Sequence, residues 1–209
     1  MRTLDPAITD ALAAGSIKAR WLVWITARNR DTDADETAGF WSDVEDVSVS
    51  VIDALTRGEV VRTFCKAGSA LTIGTLSLTS DLTVRELEVG LSQIDERVAL
   101  VVRGYDVRQA PIQVYLGLFD PSTHRMVAPA FPLFVGLVDS MDIETPEEGQ
   151  EGSVKLRCVS QIREMTRANP DVRSGASQRA RSSGDSFYDY TQNVGDWEIF
   201  WGKKRGKAA

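Results

Sequence analysis

Residues 112–118 carry Ile112, Val114, Leu116 and Leu118 at every second position, and Val47, Val49 and Val51 alternate with Ser48 and Ser50. A period of two puts one set of side chains on one face of a strand, so each run needs a second layer to cover it. Residues 21–26 (Trp-Leu-Val-Trp-Ile-Thr) are apolar on both parities, which predicts a central strand covered on both faces. Further strands are expected at residues 60–65, at 71–78 with a phase shift around Gly74-Thr75, at 133–143 and at 154–158. Leu82 and Val84 fall on one parity and Leu87, Val89 and Leu91 on the other, so a strand with a bulge near Arg85-Glu86 is expected there. Helical stretches are too few for parallel crossovers. About eight strands joined by turns therefore predict a mainly β (α+β) fold, an antiparallel barrel or sandwich.

The helices read as accessories. Asp5 suits an N-cap, Pro6 the first helical position and Gly15 the stop, with Leu4, Ile8 and Leu12 forming a stripe that must dock on something. Residues 95–104 predict a short helix closed by Gly104. Residues 31–36 are an acidic loop, 120–124 a turn and 147–152 a polar hairpin loop. From residue 160 the pattern becomes irregular: a helical turn at 161–167 before Asn169-Pro170, a helical stretch at 177–190 interrupted near Gly184, an aromatic patch and a basic tail. Two domains are expected, a β-barrel with its docking helix at 1–159 and an interaction segment at 160–209.

Charge separates the same two parts. Residues 151–209 hold 11 Lys and Arg against 7 Asp and Glu, net +4, whereas residues 1–150 hold 13 against 23, net −10. An acidic body does not suit phosphate contact, so no specific nucleic-acid binding is expected. It favours contact between oppositely charged protein surfaces. No apolar run reaches the ~20 residues of a membrane helix, and the first residues lack the basic-then-apolar order of a secretory signal.

The inventory for chemistry is thin. The one histidine, His124, sits in a Pro-containing polar turn, so a Ser-His or Cys-His nucleophile is not expected. Cys158 shares the parity of Val154 and Leu156 and reads as a core residue, as does Cys65; two cysteines make neither a disulfide scaffold nor a zinc cluster. Asp31, Asp33 and Asp35 begin like a calcium loop, but Glu36 stands where the tight turn needs Gly and Ser42 where a bidentate Glu belongs. No metal, no cofactor and no enzymatic activity are expected. What remains is partner surface: Trp197, Phe200 and Trp201 beside Lys203, Lys204 and Arg205, together with Leu4, Ile8 and Leu12.

Several strings resemble a known family. They are Leu4-Asp5-Pro6 leading into Trp21-Leu22-Val23-Trp24-Ile25, and Arg103-Gly104-Tyr105-Asp106 before Ile112-Gln113-Val114-Tyr115-Leu116-Gly117-Leu118-Phe119-Asp120. Phe134-Val135-Gly136-Leu137-Val138-Asp139, Val154-Lys155-Leu156-Arg157-Cys158, Gly184-Asp185-Ser186-Phe187-Tyr188-Asp189-Tyr190 and Trp201-Gly202-Lys203 continue the series. In order and spacing they resemble the baseplate or tail-tip hub proteins of long-tailed phages and gene transfer agents, and more distantly tail-tip protein L of phage lambda. The resemblance implies a β-barrel hub domain, a homo-oligomeric ring (a trimer), and a place between the distal tail protein and the central fibre or tail-tip protein. It implies a location in the virion tail tip, with assembly in the host cytoplasm. Some relatives hold a cysteine-ligated iron–sulfur cluster; two cysteines fall short of the usual four thiolates, so none is expected here. A distal tail protein forming a hexameric ring is the alternative within the same class. A tail-associated hydrolase and a carbohydrate-binding sandwich are the alternatives outside it.

Overall fold

The computed structural model describes residues 5–77, 79, 81–92, 96–145, 152–168, 171–191 and 193–196. The chain divides into two compact units, Met1–Thr166 and Arg167–Ala209.

The first unit is mainly β. Helix α1 (Pro6–Ala14) is capped by the Asp5 carboxylate, which accepts from the Ala7 N–H at 2.8 Å, and it ends at Gly15, whose φ of 73° closes the last turn. The strands follow as β1 (Lys18–Asn29), β2 (Asp35–Trp41), β3 (Val47–Ile52), β4 (Glu59–Lys66), β5 (Thr72–Ile73) and β6 (Glu86–Ser92). After helix α2 (Glu96–Gly104) come β7 (Tyr105–Asp106), β8 (Pro111–Phe119), β9 (Phe131–Glu144) and β10 (Ser153–Ser160), and then the short helix α3 (Arg163–Thr166). They form one 10-stranded sheet in the order β3-β4-β2-β1-β8-β9-β10-β6-β5, with β7 on the end of β1.

The sheet curls until one edge meets its own middle. The Ile52 N–H donates to the Ala130 carbonyl at 2.8 Å, and the Ala130 N–H donates to the Ser50 carbonyl at 3.0 Å. Ala130 immediately precedes β9, so β3, β4, β2, β1, β8 and the entry to β9 close a small barrel. Its interior is Leu22, Trp41, Val51, Phe64, Tyr115, Phe119 and Ala130. The outer face of β1 and β8 (Val23, Ile25, Ile112, Val114) packs into a second, larger core with Leu87, Val89, Leu91, Val154, Leu156 and Cys158, covered in part by Val98 and Val101 of α2. The two-faced apolar pattern of residues 21–26 follows from this, because β1 is the wall between two cores.

Three local expectations are corrected. Residues 82–91 are not one bulged strand: β6 starts at Glu86, and Leu82 is 80% exposed outside it. Among the described residues of 71–77 the strand is Thr72–Ile73, paired on the edge of β6, with the Gly74 N–H donating to the Glu88 carbonyl at 2.8 Å. The acidic loop is shorter than expected, since Asp35 and Glu36 already belong to β2 and pair with Arg28 and Ala27. β2 and β4 pair in parallel, Phe40 with Cys65 and Trp41 with Lys66, and the closing bridge between Val51 and Ala130 is parallel too. Gly39 allows the β2–β4 pairing: a Cβ there would lie 2.7 Å from the Thr63 carbonyl oxygen.

In the second unit, α4 (Gly175–Arg181) is capped by Ser174, whose hydroxyl accepts from the Ser177 N–H, and turns follow through residue 191. The helical stretch expected at 177–190 therefore ends well before Gly184.

Candidate interaction surfaces

The most concentrated group of polar side chains lies at the rim of the small barrel. Asp53 follows β3, Arg62 sits on β4, and Gln113 and Tyr115 share a face of β8. Arg62 Nη2 donates to Asp53 Oδ1 at 2.7 Å and Nη1 to the Tyr115 hydroxyl at 2.6 Å, while the Tyr115 hydroxyl donates to Gln113 Oε1. The Thr56 N–H and hydroxyl both donate to Asp53 Oδ2 at 2.9 Å. The guanidinium carbon lies 4.8 Å above the Trp24 ring, a geometry that favours a cation. Burial alone would raise the Asp53 carboxyl, but the Thr56 and Gln113 hydrogen bonds and the Arg62 charge outweigh it and hold it near about 2. Burial pushes the Tyr115 phenol up to about 12. These groups satisfy one another, so the arrangement is a latch that fixes the β3–β4 turn onto β8.

Two recesses flank the other end of β2. One, of about 520 Å³, is lined by Asp43, Lys66, Gly68, Ser69, Leu91 and Val98. The other, of about 460 Å³, is lined by Arg20, Trp41, Asp43, Asp46, Asp120 and His124. Three of the lining carboxylates, those of Asp43, Asp46 and Asp120, are engaged within the fold. Asp43 pairs with Arg20 at 2.7 Å. Asp46 accepts from the Lys66 N–H and from Arg97. Asp120 accepts from Ser122 and Thr123 in its own turn. His124 is exposed in that turn at φ 56°. Among the described residues no group of three or more His, Cys, Asp or Glu side chains is placed to hold a metal ion. Cys158 is buried in the larger core with its thiol pushed up to about 12 by burial.

The expected interface residues divide. Ile8 is buried, so it is the residue that docks α1, whereas Leu12 is 53% exposed on the same helix. Leu4, Trp197, Phe200, Trp201, Lys203, Lys204 and Arg205 lie outside the described residues.

Two further surfaces escaped the sequence reading. On the barrel, Leu55 and Val61 are 62% and 67% exposed at the β3–β4 hairpin, with Val60 beside them. In the second unit, Phe187 is 79% and Tyr190 63% exposed, with Val172 and Val194 also open, and no described residue of that unit is buried. Its local order comes from polar ties: Gln178 to Asp185, Arg179 to Asp189, and an edge-to-face contact between Phe187 and Tyr188. Residues 167–209 hold eight Lys and Arg against five Asp and Glu, net +3, and residues 1–166 hold 16 against 25, net −9. The density of aromatic residues at 187–190 was the available signal; alternation could not show which of them the fold leaves uncovered.

No protein-family model and no curated protein matches the chain.

Proposed function

We propose that this chain is a structural component of the tail tip of a long-tailed phage or gene transfer agent, a hub ring joining the distal tail protein to the central fibre or tail-tip protein. The observation that carries this reading is the second unit. The segment has net charge +3, and among its described residues Phe187 and Tyr190 are exposed and none is buried, so these residues form no core of their own. Such a segment gains its apolar burial only against a partner. The first unit supplies what a ring component needs, a curled sheet whose buried Arg62–Asp53 latch is satisfied internally, on an acidic chain segment. The order and spacing of the hub-like strings support the same role. In this reading the work is static complementarity between surfaces of opposite charge, and no reaction is assigned to it.

The acidic barrel meets ring neighbours and the tail lumen, where like charge keeps DNA from adhering. The C-terminal segment docks the second tail component. Tails assembled with residues 193–209 deleted test this: they are expected to stop without a central fibre. Complete tails with the fibre attached would contradict it.

A further inference from the structure

The β3–β4 hairpin joins the rest of the first unit at one end. Residues 42–46 lead from β2 into β3, and residues 67–71 lead from β4 to β5. The pairing of Phe40 with Cys65 and Trp41 with Lys66 sets these two connections side by side. Across them the Gly68 N–H donates to the Asp43 carbonyl at 3.0 Å, with Gly68 at φ 53°, a value that glycine adopts without strain. Asp43 is tied to Arg20 and Asp46 to Arg97, each at 2.7 Å, so this end is anchored. From there the hairpin reaches over the small barrel, where its buried Val51 and Phe64 join the cluster of Leu22, Tyr115 and Phe119. The far end is held by polar ties. Arg62 donates to the Tyr115 hydroxyl at 2.6 Å and to Asp53 Oδ1 at 2.7 Å, and the Ala54 N–H donates to Gln113 Oε1 at 3.3 Å. Beside β3 the Ile52 N–H donates to the Ala130 carbonyl, and the Ala130 N–H to the Ser50 carbonyl. Within the hairpin a continuous ladder runs from Val47–Phe64 to Ile52–Glu59. The hairpin is thus bonded more closely to itself than to β8 and β9, the condition for a segment to move as one piece.

We propose that the β3–β4 hairpin is a hinged lid that swings about residues 42–46 and 67–68 and uncovers Leu22, Tyr115 and Phe119. The larger core stays closed meanwhile, because the β1–β8, β9–β10 and β6–β10 ladders lie outside the moving piece. Opening gives up the burial of Val51 and Phe64, so the closed form dominates. The ties of Arg62 to Tyr115 and Asp53 set how often the lid opens, since they break whenever the far end lifts. Asp43 and Asp46 hold the hinge in place while it does so. The assignment does not depend on a place in a phage tail.

The test uses the purified full chain carrying Val51→Cys, which puts a thiol on the inner face of the lid, while Cys158 reports on the larger core. Iodoacetamide is applied at pH 8 across urea concentrations below the unfolding transition, and peptide mass spectrometry reads both sites. The introduced thiol is expected to react about tenfold faster than Cys158 or more, with a weaker dependence on urea. Adding Asp53→Asn or Tyr115→Phe should speed it about tenfold further. Equal rates and equal urea dependence at the two sites would overturn the proposal, because the hairpin would then open only when the whole unit unfolds. A rate that ignores both latch variants would overturn it too. Hydrogen exchange on the unaltered chain covers the case in which Val51→Cys misfolds. The Ile52 and Ala130 amides should exchange about tenfold faster than those of Leu156 and Cys158, and equal protection would contradict a lid.

Discussion

Arg62 and Asp53 are joined at 2.7 Å with their side chains 13% and 8% exposed, and they tie the β3–β4 turn to Tyr115 and Gln113 on β8. The pair therefore couples two strands that are not neighbours in the sheet.

Removing one partner leaves the other charge enclosed without its counter-ion. Asp53→Ala also frees the two Thr56 donors. It should destabilise the protein by about 3–5 kcal/mol, read in urea unfolding at pH 7. A change below about 1 kcal/mol would mean that water reaches Arg62 and the latch is a surface pair.

Acid should weaken the same latch. The Asp53 carboxyl is lowered from 3.8 to about 2 in the folded chain, so its stabilisation is present above pH 3.8 and is lost as pH falls through 3.8 towards 2. Between pH 7 and 2.5 the wild type should lose about 1.5 kcal/mol more than Asp53→Asn. Equal losses in the two proteins would assign the acid sensitivity to other carboxylates.

Gly136 on β9 lies opposite Ser160 on β10. A Cβ there would lie 2.0 Å from the Val159 carbonyl oxygen and 2.9 Å from the Phe134 ring. Since backbone is the obstacle, Gly136→Ala should cost about 3 kcal/mol or prevent folding, as measured by thermal unfolding.

Cys158 should resist alkylation in the native protein, because it is buried and its thiol is raised to about 12. Iodoacetamide at pH 8 is expected to modify it only after urea is added. Rapid native labelling at Cys158, located by peptide mass spectrometry, would show that the larger core opens readily.

Phe187 and Tyr190 separate stability from assembly. Because both side chains are exposed, changing each to Ser should alter unfolding free energy by no more than about 0.5 kcal/mol. The same double variant should fail to enter tails, measured as its recovery in purified particles. Normal incorporation would remove the second unit from the docking role.

Much of the barrel was legible because its signals are local. Asp5, Pro6 and Gly15 delimit α1 by capping chemistry alone, and the two-faced run at Trp21-Leu22-Val23-Trp24 marked the wall between two cores. What stayed hidden depends on distant partners. Strand β2 begins in an acidic stretch because β1 pairs with it, not because Asp35 or Glu36 favour strands. Leu82 and Val84 look like strand residues, yet among the described residues neither belongs to a strand. The latch was invisible for a related reason: the β3–β4 hairpin joins Asp53 to Arg62, but Tyr115 lies 53 residues beyond Arg62 and meets it only through the curl of the sheet. Ile8 shows the reverse case, since a stripe predicts that something docks but not that Leu12 stays outside.

Counting copies of this chain in intact particles by quantitative mass spectrometry, against a tail component of known number, tests the hub role most directly. The account predicts about three copies per particle, the number of a trimeric ring. About six would move the chain to the distal tail ring, and absence from the particle would contradict the structural role altogether.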